Sequence, residues 1–409
     1  MKRSGIMKRI LCALMASAVI AASCGLSAFA ASAGAGEDTA AEAAVFSNEA
    51  DEEYDDTLDD VPPAAETDDT QDEAAAEETA AEEPADSSET PSNVIVPDEH
   101  TNRITGEETL SDEAVGKRSV SVMVNNALFS LPQYGISDAD MIFEVPVEYG
   151  ITRLMCVYGD YTKIPQICSV RSCRYYYAQL AAGLDTFYIH WGIDQTVALE
   201  TIEDLGIDHI DGDDGTWDLF DRDQSRLDEG FALEHTSRLD GPSVDDAMES
   251  NDVRTELGED YQGTVFSFSR DFISASGEDC TSCQVTFSDD YWSTFEYDAE
   301  SGVYYKGFSG DAHVDAKTGL QLSFSNLIFL QTDIGLIEGD ESNRREIDIL
   351  QENASGYMVT GGKMQKITWS KKTAFDPIKI YAEDGSEVVL NTGKTYIAIC
   401  DPGSFKING

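Results

Sequence analysis

Arg171, Ser172 and Arg174 are the residues whose types and spacing come nearest to a binding chemistry. Residues 167–171 read as a strand. Ser172 is a good N-cap for a helix running through Tyr176, Leu180 and Ala181 and closing at Gly183. A strand that ends where a helix begins gathers free backbone N–H groups, and two guanidinium groups beside them make an anion site. The competing reading is that both arginines pair with neighbouring carboxylates and serve the fold. His190 closes the next strand, just before Gly192. If the two strands are parallel, their C-terminal ends share the edge where open α/β sheets hold ligands, and His190 lies near Arg171. A lone histidine is more often a satisfied structural residue.

A second constellation follows from a hairpin. Residues 141–147 and 151–158 are strand-like and meet at Tyr149-Gly150. A two-residue loop there pairs Pro146 with Arg153, which puts Glu144, Glu148 and Arg153 on one face. Two carboxylates with a cation between them suit acid–base work of the kind glycoside hydrolysis requires; the plainer reading is an ion-pair network. Asn125-Asn126 ends the first strand, where amides can hydrogen-bond a sugar or peptide or simply make the turn. Asp211, Asp213 and Asp214 lie in a glycine-rich loop, but Gly215 takes the place of a calcium ligand, so the loop lacks the EF-hand pattern. Cys280-Thr281-Ser282-Cys283 has redox or half-zinc spacing. With no second such pair and no histidine pair beside it, a local disulfide or two free thiols is expected. The chain has no P-loop, Rossmann fingerprint, H-E-x-x-H or G-x-S-x-G. No metal and no cofactor are expected.

The elements that position these residues fall into two groups. Over residues 102–257, strand, helix, strand and helix alternate, which implies a parallel pair within a mixed sheet and an α/β domain. Over residues 262–409, short strands follow one another with turns at Gly361-Gly362 and Asp384-Gly385 and no helix. That pattern predicts an all-β antiparallel barrel or sandwich, and the whole chain is α+β.

The first thirty residues read as an export signal: Lys2, Arg3, Lys8 and Arg9, then a short apolar run over residues 10–22. Two processing sites compete. Ala28-Phe29-Ala30 suits ordinary cleavage, and Ala21-Ala22-Ser23-Cys24 resembles a lipobox that would place a lipid on Cys24. Residues 31–101 are expected to form a disordered acidic linker, because residues 36–101 hold roughly two dozen Asp and Glu and no Lys or Arg. The formal net charge is −51. Outside the signal and linker the charge is still roughly −31, which disfavours nucleic acid and an anionic membrane surface. Contact with the membrane is expected only through a lipid on Cys24, and the location is extracellular, in the cell envelope.

In order along the chain come Val124-Asn125-Asn126, Ser137-Asp138-Ala139-Asp140 with Glu144, Glu148-Tyr149-Gly150-Ile151-Thr152-Arg153, Val170-Arg171-Ser172 with Arg174, and Tyr188-Ile189-His190. Phe220, Arg222, Asp223 and Arg226 follow, then His313-Val314-Asp315, Thr318-Gly319, Asn326, Thr368-Trp369-Ser370 and Gly393-Lys394-Thr395. This series resembles the YerB-like lipoproteins, a bacterial exported family defined by a domain of unknown function. The resemblance implies an envelope location and two domains, and it implies no reaction. The chain departs from the family pattern at Cys168-Ser169, where Gly-Pro is usual. It departs again at Glu234-His235-Thr236, where Pro-His-Asn is usual, which puts a role for His235 in doubt. The expectation is a non-catalytic envelope protein that binds an anionic cell-wall component or another exported protein. The alternative is a wall glycan or peptide hydrolase using Glu144 or Glu148.

The Cys24 alternative has a direct test. Cys24→Ala should move the protein from the membrane fraction to the medium if a lipid holds it. Unchanged fractionation of that variant would favour cleavage after Ala30.

Overall fold

A computed structural model describes residues 93–408, apart from 216, 217 and 252. The signal, the Cys24 and Ala30 alternatives and the acidic stretch through residue 92 lie outside the described residues. Residues 93–101, expected in the linker, already touch the folded body. Asn93 Nδ2 donates to Ser269 Oγ at 2.8 Å, Val94 bridges Ser269, and Thr101 bridges Glu108.

The first half of the chain supplies β1 (Val120–Asn125), β2 (Met141–Pro146), β3 (Thr152–Tyr158), β4 (Phe187–His190) and β5 (His209–Asp211). α1 (Tyr175–Leu184) joins β3 to β4, and α2 (Val197–Leu205) joins β4 to β5. Asp194 starts α2 by accepting from the Thr196 and Ala198 N–H groups at 3.1 Å, and Gly206 closes it at a φ of 59°. The second half supplies β6 (Ser282–Thr286), β7 (Trp292–Asp298), β8 (Val303–Phe308), β9 (Asn326–Gln331), β10 (Ala354–Thr360), β11 (Lys363–Ser370), β12 (Thr395–Cys400) and β13 (Phe405–Ile407). No α-helix follows Ser250 among the described residues.

The two halves share one sheet. Its order is β11-β10-β9-β12-β2-β3-β1-β4-β5, and Glu278–Asp279 and Lys379–Tyr381 both add to β11. β1, β4 and β5 run parallel while β3 is antiparallel to β1 and β2, which is the mixed sheet expected of the first half. The second half departs from expectation. β12 lies parallel to both β9 and β2, and no sheet closes on itself among the described residues, so a barrel is ruled out there. The reason is that Asn326–Gln331 and Thr395–Cys400 bury both faces within the shared sheet, so the strands do not curl round a core of their own. The remaining strands β8, β7, β6 and β13, with Asp311–Ala312 and Ser323–Phe324, form a separate six-stranded sheet.

Strand parity assigns the layers. Val122, Leu154, Ile142, Tyr396 and Phe329 point to one side of the shared sheet and pack with Val285, Phe295 and Tyr304 of the second sheet. Met123, Met155, Phe143, Ile397 and Ile328 point to the other side and pack with Tyr176, Tyr177 and Leu180 of α1. A sheet covered on both faces has no polar side, so its strands read as continuous apolar runs. The six cysteines of the described residues are buried free thiols, Cys280 and Cys283 included.

One charged pair lies inside the layer boundary. Glu144 of β2 and Lys306 of β8 are both fully buried, with Nζ 3.2 Å from Oε2. Oε1 accepts from Asn126 Nδ2 at 3.0 Å and Thr152 Oγ1 at 2.8 Å, and Oε2 accepts from Ser293 Oγ and Tyr396 OH, both at 2.8 Å. Lys306 also donates to His313 Nδ1 at 3.0 Å, whose Nε2–H then donates to Gln133 Oε1 at 3.0 Å. Burial pulls the lysine below its ordinary pKa and Glu144 opposes that; burial, then the Lys306 charge, holds His313 well below its ordinary value. Removing one partner strands the other charge, so Lys306→Met should cost about 3–5 kcal/mol of unfolding free energy in a guanidinium titration. The double change Glu144→Gln with Lys306→Met should recover much of that loss. A single variant as stable as the wild type would remove the pair from any structural role.

Candidate anion-binding site

The strand-to-helix junction is built differently from the expected one. Cys173 N–H donates to the Gly192 carbonyl at 3.0 Å, and Cys173 bridges Ile193, so the chain stays extended through Ser172 and Cys173. Arg174, at φ −133° and ψ 153°, is therefore the N-cap, and no side chain caps the helix. Ser172 cannot act as the cap from two residues before it. The helix also runs past Gly183 and ends at Asp185, whose φ is 52°.

The hairpin is corrected by one residue. Ile151 N–H donates to Glu148 O at 3.2 Å across Tyr149 and Gly150, at φ 57° and 76°, but Val147 N–H also donates to Ile151 O at 2.7 Å, so one extra residue stands on the first strand's side. The register is Val145↔Arg153 and Pro146↔Thr152. A slip of one residue reverses faces. Glu144 consequently points into the second sheet, while Arg153 points to the helix side with Val145. The expected face shared by Glu144, Glu148 and Arg153 does not exist. Glu148 lies beyond the strand and pairs with Arg174 Nε.

What the structure does bring together is Glu148, Arg153, Arg171 and Arg174. Arg153 Nη1 donates to Ser172 O at 2.6 Å, so the Ser172 carbonyl, not its hydroxyl, serves the cluster. Arg171 is held least well. Its Nη1 reaches Glu234 O only at 3.4 Å, and its Nε is buried without a partner. Burial lowers the Arg153 pKa to about 10, helped by Arg174 and opposed by Glu148. Burial also lowers Arg171, with Glu234 opposing and Arg174 adding to the effect. For Glu148, burial acts upward but the Arg174 hydrogen bond and the Arg153 charge outweigh it, so its pKa falls. Arg153, Arg171 and Arg174 thus gather about Glu148 and, on the Arg171 side, Glu234, at an uncapped helix N-terminus, the end where cations are disfavoured.

The other expected residues go elsewhere. Trp191 N–H donates to Arg171 O at 3.0 Å, so the two segments do meet. His190 itself is fully buried, and its ring nitrogens are occupied by Gly192 O and His209 Nδ1, each at 3.0 Å. Burial, then His209, lowers its pKa to about 3, so it is a neutral structural histidine. Asn125 Nδ2 donates to His235 Nδ1 at 2.9 Å, and Asn126 belongs to the Glu144 network. Asp211 accepts from the Gly192 and Asp213 N–H groups. Lys306 escaped the sequence reading, although Tyr304, Lys306 and Phe308 share one strand face and a lysine in that apolar register was the available sign.

A family model described as the N-terminal domain of a protein of unknown function, DUF3048, matches residues 104–254, and the C-terminal domain model of the same family matches residues 283–397. A Bacillus subtilis protein named "Putative lipoprotein YerB" is 25% identical over 289 residues, covering 69% of this chain and 81% of that protein. The crystal structure of YerB from Bacillus subtilis has the same fold, with a TM-score of 0.63 at 23% identity over 75% of this chain and 99% of that one. With both regions matched in order, the chain belongs to the DUF3048 family.

Proposed function

We propose that this protein is an envelope component that binds an anionic partner, a wall polymer or another exported protein, at the Arg153, Arg171 and Arg174 cluster without turning it over. The observation that carries this reading is the loosely held Arg171 guanidinium beside two further arginines in a chain of formal charge −51. A lipid on Cys24 would hold the protein on the outer face of the cytoplasmic membrane, and the lipoprotein name of the Bacillus subtilis relative supports that location. Neither carboxyl of the hydrolase reading favours it: Glu148 is paired with Arg174, which with Arg153 holds its pKa low against burial, and a lowered pKa does not suit a general acid. Glu144 has no exposed surface and its oxygens are filled by Asn126, Thr152, Ser293, Tyr396 and Lys306, so it has no route to a glycosidic oxygen.

Calorimetric titration with poly(glycerol phosphate) and with purified muropeptides tests the proposal. Arg171→Lys keeps the charge but loses the planar fork, so affinity should fall about ten- to a hundred-fold. Product analysis should show both probes intact. Unchanged affinity with a lowered Tm would make the arginines structural and end this reading.

Glu148 is the internal counter-ion of the cluster, and its removal has two consequences. Its folded pKa lies below the ordinary 4.5, so it stabilises the fold above that value and the contribution is lost as pH falls through the folded pKa. Melting temperatures should therefore run in parallel for Glu148→Gln and the wild type above pH 4.5 and fall less steeply for Glu148→Gln as the pH drops below it. The same variant should bind poly(glycerol phosphate) more tightly, because an arginine is freed. Identical melting profiles and affinities would remove Glu148 from the cluster.

A further inference from the structure

The arginine cluster does not stand alone on its surface. Tyr149, Phe129 and Leu233 are 69%, 63% and 59% exposed, although large apolar side chains gain by burial. All three are tied to the cluster. Tyr149 follows Glu148, the partner of Arg174. Leu233 and Glu234 offer their carbonyls to Arg222 Nη1 at 2.8 Å and Arg171 Nη1 at 3.4 Å. The Phe129 ring lies 5.0 Å from His235, the next residue of that same turn. The loops carrying Phe129 and Tyr149 are braced by one support: Leu128 N–H donates to Tyr291 OH at 3.1 Å, and Ser288 Oγ donates to Gly150 O at 2.8 Å.

Tyr149 is also held in an unfavourable backbone state. Its φ of 57° is in the left-handed region, where a bulky side chain is an outlier and glycine or asparagine is the ordinary choice. The loop thus keeps a strained aromatic pointing into solvent beside an ion-paired arginine. Such strain gathers at binding surfaces.

We infer that this surface takes a peptide segment of another exported protein, one that sets an acidic side chain beside an aromatic or aliphatic one, with Tyr149 as the apolar anchor. The inference rests on the anion-site reading and narrows it. A phosphate-rich wall polymer supplies charge but nothing to cover Tyr149, Phe129 and Leu233. A bilayer supplies both, but an anionic one meets a body that carries roughly −31 overall. A short acidic and apolar segment meets only the local positive charge, and an aromatic anchor with an arginine beside it is the usual centre of a protein interface.

Selection from a phage-displayed random peptide library on the full mature protein supplies the probe. Selected peptides should alternate acidic with aromatic or aliphatic residues. By fluorescence anisotropy, Tyr149→Gly should weaken them about tenfold or more while the Tm stays level or rises, because glycine relieves the strained φ. Arg171→Lys should weaken them too. Peptide affinity unchanged in Tyr149→Gly would overturn the inference. The anion site would then stand without it if poly(glycerol phosphate) binding still required Arg171. Binding of phosphatidylglycerol vesicles that needs Tyr149, with no such peptide dependence, would make the occupant a membrane and would equally overturn the inference. Loss of Arg171 dependence with every probe would remove the anion site as well.

Discussion

Two opposite charges with no exposed surface, Glu144 and Lys306, decide how the layers of this protein meet. The cost of drying an ammonium and a carboxylate is several kcal/mol each, and only mutual contact with filled hydrogen-bond positions offsets it. The pair itself sits on β2 and β8, and the filling comes from Asn126 beside β1, Thr152 of β3, Ser293 of β7, Tyr396 of β12 and His313 just after Asp311–Ala312. Any lateral slide of the second sheet over the shared sheet would part Lys306 from Glu144 while both remained buried. An apolar contact tolerates such a slide far better. The pair therefore acts as a register pin for a boundary that is otherwise Val, Leu, Ile and Phe.

The opposite side of the same hairpin carries charge arranged to a different end. Val145 and Arg153 pair one position beyond Glu144 and point toward α1. There three arginines face Glu148 and Glu234, the helix lacks a cap, and Arg171 has one long bond. A fold able to satisfy Glu144 so completely leaves this second cluster under-satisfied, which makes the contrast informative. Local inconsistency of this kind tends to collect at working surfaces.

Local signals carry the first half of the chain well. The Val120, Val122 and Val124 alternation, the Asp194 start of α2 and the Gly206 close are all decided within a few residues. Where a distant partner intervenes, reading fails. Ser172 has the chemistry of a cap, but the pairing of Cys173 with Gly192 holds the backbone extended. Tyr149-Gly150 does make a tight turn with both residues at positive φ, but Val147 as well as Glu148 bonds to Ile151, and that one extra residue shifts the register and reverses Arg153. In the second half the strands are visible as short apolar runs. Their partners are not, because pairing β12 between β9 and β2 depends on residues far apart in the chain. The grouping of Arg153, Arg171 and Arg174 is likewise a tertiary fact, although the last two are adjacent enough to attract notice from the sequence.

The place of β12 bears on the order in which the protein can assemble. It follows every other described strand of the shared sheet along the chain, yet it sits in the middle of that sheet, with β9 on one side and β2 on the other. Until residues 395–400 arrive, β2 and β9 each keep an unpaired edge, Tyr396 is missing from Glu144, and neither half can complete its hydrogen bonding. Early, autonomous folding of the first half is thereby discouraged, since the strand that closes its edge comes from residues 395–400. In synthesis from the N-terminus this is a built-in delay: the shared sheet stays unlocked until residues 395–400 have been made.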